Sequence, residues 1–136
     1  MSTNLGGDKP AGSRGWAAYH LLQAVATLAW WTAVAMSPHV RRVFAFGDDG
    51  ASLWQFLPAD LLFWCGGSLA VAVAAWSGHR WAGAASLVLS GAVGCSWAHS
   101  VALAWQARAG WIGVVLMAIA VVMTARSAWC LSGWRA

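Results

Sequence analysis

The chain has 136 residues, of which 60% are hydrophobic and 9% charged, with a formal net charge of +4 and a mean hydropathy of +0.62. A soluble domain carries about 25% charged residues, so this composition excludes a water-facing globule and indicates a polytopic membrane protein. Three cysteines without a CxxC pair exclude a disulfide framework, and basic residues scattered at the ends of apolar runs suit lipid headgroups and membrane topology instead of nucleic acid.

Residues 1–15 (MSTNLGGDKPAGSRG) are polar and rich in Gly and Ser, which predicts a disordered tail ahead of a four-helix transmembrane domain over 16–136. The first apolar span covers about 16–37 and stops at Pro38, which disfavours helical geometry in the residue before it. Ala33-Val34-Ala35 has the form of a signal-peptidase site following Lys9 and Arg14, yet the stretch exceeds a usual h-region and reads as a retained span. His39 to Gln55 forms the one substantial loop, with a Gly47-Asp48-Asp49-Gly50 turn and with Phe44, Phe46 and Trp54 laying it along the interface. The second span runs over about 57–76, with Pro58 in its first turn where a missing N–H costs nothing. A turn over Ser77 to Arg80 leads to a third span at 81–105, and a turn over Gln106 to Gly110 to a fourth at 111–131.

Tight turns make sequence neighbours antiparallel, so the expected fold is an all-α integral membrane four-helix up-down-up-down bundle. With both termini on one side, Lys9, Arg14, Arg80, Arg126 and Arg135 stand against Arg41, Arg42 and Arg108, which favours cytoplasmic termini in a cell (inner) membrane. Of the 12 Trp, Trp16, Trp76, Trp81, Trp105, Trp111, Trp129 and Trp134 lie at the ends of apolar runs, as headgroup-level edge markers do. Gly66, Ala70 and Ala74 in the second span, and Ser86, Ser90 and Gly94 in the third, recur every four residues and predict that these two helices pack most closely.

Counting residues from the outer ends brings Trp30, Trp31, Asp60, Trp64, Trp97 and His99 into one leaflet. An ionisable group inside a span is by default a functional-site hypothesis, so these residues are read as an outer-leaflet pocket for a quinone or lipid, with Asp60 and His99 as its polar pair. The plainer reading makes Asp60 a first-turn carboxylate stabilised by the helix dipole, His99 an interhelical hydrogen-bonding residue and the tryptophans packing. Cys65 and Cys95 fall at similar depth and form a candidate thiol pair beside the reading of inert packing. His20, Gln23 and Thr27 make a polar stripe on the first span, read as interhelical hydrogen bonding. No phosphate loop, Ser-His-Asp set or HExxH occurs, no metal site is indicated, and nothing marks the chain as an enzyme on its own.

The segment LPADLLFWCGGSLAVAVAAWSGHRWAGAASLVLSGAV has an acidic residue early in the second span, paired Gly at its middle, and Gly-x-Arg-Trp-Ala opening the third. In this layout it resembles the DoxX-like family of small four-helix membrane proteins. The resemblance implies a four-helix fold and a link to quinone or thiol redox modules beside a partner protein. Two functions are therefore expected: a non-catalytic subunit or quinone- or lipid-binding module of a membrane complex, or a component of a membrane oxidoreductase using Asp60, His99 and the Cys pair. The expected partners are membrane lipids and a membrane subunit or second copy; no cofactor is required by the sequence.

Overall fold

A computed structural model describes residues 13–48 and 50–133, all of it helix and turn, with no strand among the described residues. Most of the expected polar tail, together with Asp49, Trp134 and Arg135, lies outside the described residues. Helix α1 is Ser13–Met36, α2 is Pro38–Phe44, α3 is Ala51–Ser77, α4 is Ala82–Ala107 and α5 is Trp111–Leu131. Three of these, α3, α4 and α5, are long and apolar enough to cross a membrane. Helix α1 meets that standard only when joined to α2, from which it is bent by 114°. The polar side chains of His20, Gln23 and Thr27 dilute its hydropathy.

The bend follows from two residues. Ser37 adopts extended backbone and its side chain accepts from Val40 N at 3.3 Å, while Pro38 opens α2. Ser at the N-cap with Pro in the first turn starts a helix as readily as Pro ends one. The expected loop therefore begins with a helix. Arg41 Nη1 reaches back to donate to Val34 O and Ala35 O at 3.3 and 3.2 Å, which satisfies carbonyls freed at the end of α1.

The loop that follows is tied by Asp48, whose Oδ2 accepts from Ser52 N at 2.7 Å and whose Oδ1 accepts from Ser52 Oγ and Gly50 N. Desolvation pushes its pKa upward, but the hydrogen bonds from Ser52 and Gly50 outweigh it and hold the carboxyl below the ordinary carboxylate range. This anchor is thus present at neutral pH and lost only as acid protonates Asp48. Helix α3 then opens with a 3₁₀ segment, Ala51–Phe56, and widens into a π-helical stretch, Asp60–Gly67, before regular α-helix resumes at Ser68. It ends in a Schellman cap, with Gly78 left-handed, Gly78 N donating to Ala75 O and His79 N to Ala74 O.

The helices associate differently from the expectation. The most extensive contacts are between α4 and α5 and between α1 and α3, whereas α3 and α4 touch less. Between α1 and α3, Ala17 packs with Ala74 and Ala75, all almost fully buried. Small side chains there let two backbones approach. Ala74 is thus an interface residue, but toward the first helix; Gly66 and Ala70 are exposed, and a Cβ added at Gly94 would meet nothing within 4 Å. The true points of approach to α4 are Gly67, where an added Cβ would lie 3.0 Å from Leu89 Cδ1, and the cluster of Trp64, Val71, Leu89 and Val93.

The start of α4 lies close against the end of α5. A Cβ at Gly83 would stand 2.6 Å from Ser132 Cα and 2.8 Å from Leu131 O, both main chain, so Gly83→Ala forces the helix ends apart. We predict a loss of about 1–3 kcal/mol, read as a lowered thermal midpoint in detergent. Gly91→Ala, where nothing lies within 4 Å, is the control, and its midpoint should be unchanged or raised.

Candidate functional site

Two polar clusters tie α1 to its neighbours, one toward each end of the fold. Toward the Gly78 end, His20 Nε2 and Ser127 Oγ lie 2.8 Å apart and Ser86 Oγ and Ser127 Oγ 2.7 Å apart, with all three residues fully buried. Ser127 Oγ also lies 2.9 Å from Thr124 O, to which it can donate. Ser127 Oγ thus stands among three partners, and His20 Nδ1 on the far side of the ring is left without one. Thr124 Oγ1 donates to Gln23 Oε1 at 3.3 Å and shares a 3.2 Å hydrogen bond with the Tyr19 hydroxyl. Two residues of the polar stripe on the first span, His20 and Gln23, thus join α1 to α5 and, through Ser127, to α4, whereas Thr27 donates within its own helix to Gln23 O at 2.9 Å.

Toward the Gly110 end the cluster is smaller. Trp31 Nε1 donates to Asp60 Oδ2 at 3.1 Å, with both residues buried. The indole is held by aromatic neighbours: Trp30 at 4.6 Å edge-on, and Trp54 at 5.8 Å. Trp30 in turn meets Phe44 of α2 at 5.8 Å. Bending α2 back across the end of α1 is what supplies Phe44 and closes this aromatic wall.

Between the two clusters α1 and α5 stand apart and leave a cavity of about 420 Å³. Tyr19, Gln23 and Trp30 of α1, Asp60 and Trp64 of α3, and Met117 and Met123 of α5 contribute to its wall. The wall is mostly apolar, yet three residues in it carry a buried polar atom without a hydrogen-bond partner: Asp60 Oδ1, Gln23 Nε2 and Trp64 Nε1. Those residues are only 7–8% exposed. Leu22, Leu116 and Ile119 also line the cavity and are 67%, 54% and 59% exposed, so it opens sideways through the gap between α1 and α5.

A second cavity, of about 530 Å³, lies between α3 and α4 and is lined by Phe56, Phe63, Trp64, Cys95, Ser96 and His99 among others. His99 is exposed and packs its ring on Phe56 at 5.5 Å.

The expected single pocket is therefore divided. Trp30, Asp60 and Trp64 share the first cavity, with Trp31 bonded to Asp60 behind them, whereas His99 belongs to the second and only Trp64 lines both. Trp97 lines neither; its Nε1 donates to Val114 O at 3.1 Å and fastens α4 to α5. Asp60 and His99 do not form a pair. The reason is the helix association: α4 leans on α5, so its His99 face points away from the α1–α5 gap. Cys65 is a buried free thiol and Cys95 an exposed one, with no disulfide between them, and only Cys95 lines a cavity. No group of three or more potential metal ligands occurs among the described residues. Sequence reasoning missed Tyr19 and Gln23 as cavity residues, although a Gln and a Tyr inside an apolar run were the available signal. No family model, curated protein or solved structure matches this chain.

Replacing Trp31 with Phe strips Asp60 of its donor and leaves both carboxyl oxygens unpaired, which should destabilise the fold by about 1–3 kcal/mol. The double variant Trp31→Phe/Asp60→Leu removes both partners and should recover most of that loss. Thermal melts of the two in the same detergent check the order; a double variant less stable than the single one contradicts it.

Proposed function

We propose that the chain is an integral protein of the cell (inner) membrane, folded as an up-down-up-down four-helix bundle with cytoplasmic termini. In this reading it serves as a non-catalytic binding module or subunit of a membrane complex, holding an amphipathic quinone or lipid in the α1–α5 cavity. One observation carries the reading: an apolar chamber three of whose lining residues each hold a buried polar atom without a partner. A group left unsatisfied in a buried site costs free energy, and a ligand that pairs with it recovers that cost.

The membrane assignment is supported by where large apolar side chains lie. Leu22 and Val25 on α1, Leu62 and Val73 on α3, Leu87 and Val88 on α4, and Val115 and Val122 on α5 are all more than half exposed. Helices apolar on every side suit hydrocarbon as solvent. Trp76, Trp105 and Trp129, also exposed, sit near helix ends as interfacial anchors do. The sideways mouth then faces the acyl chains and admits a ligand from within the bilayer. A subunit role accords with the DoxX-like layout of the second and third spans. The redox alternative needs Asp60, His99 and the thiols in one chamber, and their separation into two cavities favours binding.

The protein purified in mild detergent should carry a small amphiphile that organic extraction and mass spectrometry detect. Ala26→Trp, which places a bulky ring at the cavity wall, should abolish co-purification without lowering the thermal midpoint; equal recovery from both proteins would refute the site. Topology is tested in a variant lacking Cys65, Cys95 and Cys130. A cysteine at Ala109 should react with a membrane-impermeant maleimide on intact cells, and one at His79 only after permeabilisation.

A further inference from the structure

Resting on the binding reading above and narrowing it, we propose that the α1–α5 cavity selects a neutral amphiphile whose head is a hydroxyl, that is, the reduced, phenolic form of a quinone or an alcohol-headed lipid, over carbonyl-only, ether or phosphate heads. The argument starts from which atoms lack partners. Asp60 Oδ2 already accepts from Trp31, so the unpaired Oδ1 calls for a hydrogen-bond donor. Gln23 Oε1 already accepts from Thr124, so the unpaired Nε2 calls for an acceptor. Trp64 Nε1 can only donate. A hydroxyl supplies one donor and two lone pairs on a single atom and thus matches both needs. An ether or a ketone answers Gln23 and Trp64 but leaves the carboxyl oxygen unpaired.

Charge narrows the choice further. Among the described residues that line the cavity there is no Lys, Arg or His. A phosphate or carboxylate head would be buried without a counter-ion and beside Asp60, which disfavours it strongly. The tail has its own place: the exposed Leu22, Leu116 and Ile119 flank the mouth and extend the apolar wall outward. The three polar atoms lie just beneath the wall, so occupancy entails a turn of the Asp60 and Gln23 side chains toward the head. The cost of leaving those atoms unpaired favours that turn.

The test titrates the delipidated full chain in mild detergent with 4-dodecylphenol, its methyl ether and dodecyl phosphate, using calorimetry. The phenol should bind at least about tenfold more tightly than the ether, the difference that leaving one buried hydrogen-bonding group unpaired makes, and the phosphate should be weakest. Asp60→Asn keeps an acceptor for Trp31 but turns the free oxygen into a donor, so the phenol and ether should then bind within about twofold of each other. Trp64→Phe should weaken both alike and leave their ratio unchanged. Equal binding of phenol and ether to the unmodified chain, or tightest binding of the phosphate, overturns the head-group assignment while the site stands. Failure of all three probes to bind, with no amphiphile co-purifying, overturns the site itself.

Discussion

Buried side-chain polarity has to be satisfied across helices in this molecule, because most of the surrounding side chains are Ala, Leu and Val and offer nothing to bond. That requirement sets where α1 goes. His20 reaches Ser127 toward the Gly78 end and Trp31 reaches Asp60 toward the Gly110 end. The first draws α1 to α4 and α5, and the second draws it to α3. Hydrophobic contact is non-directional and distinguishes poorly between the apolar faces of these helices. The hydrogen bonds select among them. Between the two fastenings α1 follows α3 and parts from α5, so the cavity is the geometric remainder of satisfying both ends.

The irregular start of α3 belongs to the same scheme. A uniform α-helix from Ala51 would place its side chains on one regular spiral, but here a 3₁₀ segment, a short α turn around Pro58 and a π-helical stretch follow one another. A π segment inserts extra chain into a turn and turns the following side chains relative to those before it. Asp60, Trp64 and Cys65 all lie buried within this stretch, while Leu61, Leu62 and Phe63 are exposed. Gly66 and Gly67 weaken the regular helix at its far end. The paired glycines, of which only Gly66 belonged to the small-residue stripe read from the sequence, thus mark the end of a backbone irregularity, and it is Gly67 that admits Leu89.

Helix extents were legible to within a few residues. Spans expected at 16–37, 57–76, 81–105 and 111–131 stand beside Ser13–Met36, Ala51–Ser77, Ala82–Ala107 and Trp111–Leu131. Pro38, Gly78 and Gly110 are local signals that act on their own neighbours whatever the rest of the chain does. Helix partners were not legible in the same way. Small residues occur in several helices: Ala17 of α1 takes the Ala74 and Ala75 face of α3, while Gly83 and Ser86 of α4 face α5. Counting along a helix gives height but not direction. Asp60 and Trp64 line one cavity, whereas the leaning of α4 on α5 sends Trp97 into a structural hydrogen bond and His99 toward another cavity. Helix α2 was missed because Ser37-Pro38 was read only as a stop.

The distribution of unpaired atoms is informative beyond their number. Among the described residues, Ser68 Oγ, Ser96 Oγ and His20 Nδ1 are also buried without partners, but they do not line the α1–α5 cavity. A serine in a helix has its own preceding carbonyl as a nearby alternative partner, as Ser77 and Ser100 show here by donating to Val73 O and Ser96 O. Asp60, Gln23 and Trp64 have less local recourse: the Asp60 carboxyl is already committed to Trp31, and an indole nitrogen is fixed to a rigid ring. These three residues come from two helices, and all lie in the wall of one apolar chamber that opens sideways. Random imperfection of packing would scatter such groups; their convergence on one chamber is what a missing polar head group would produce.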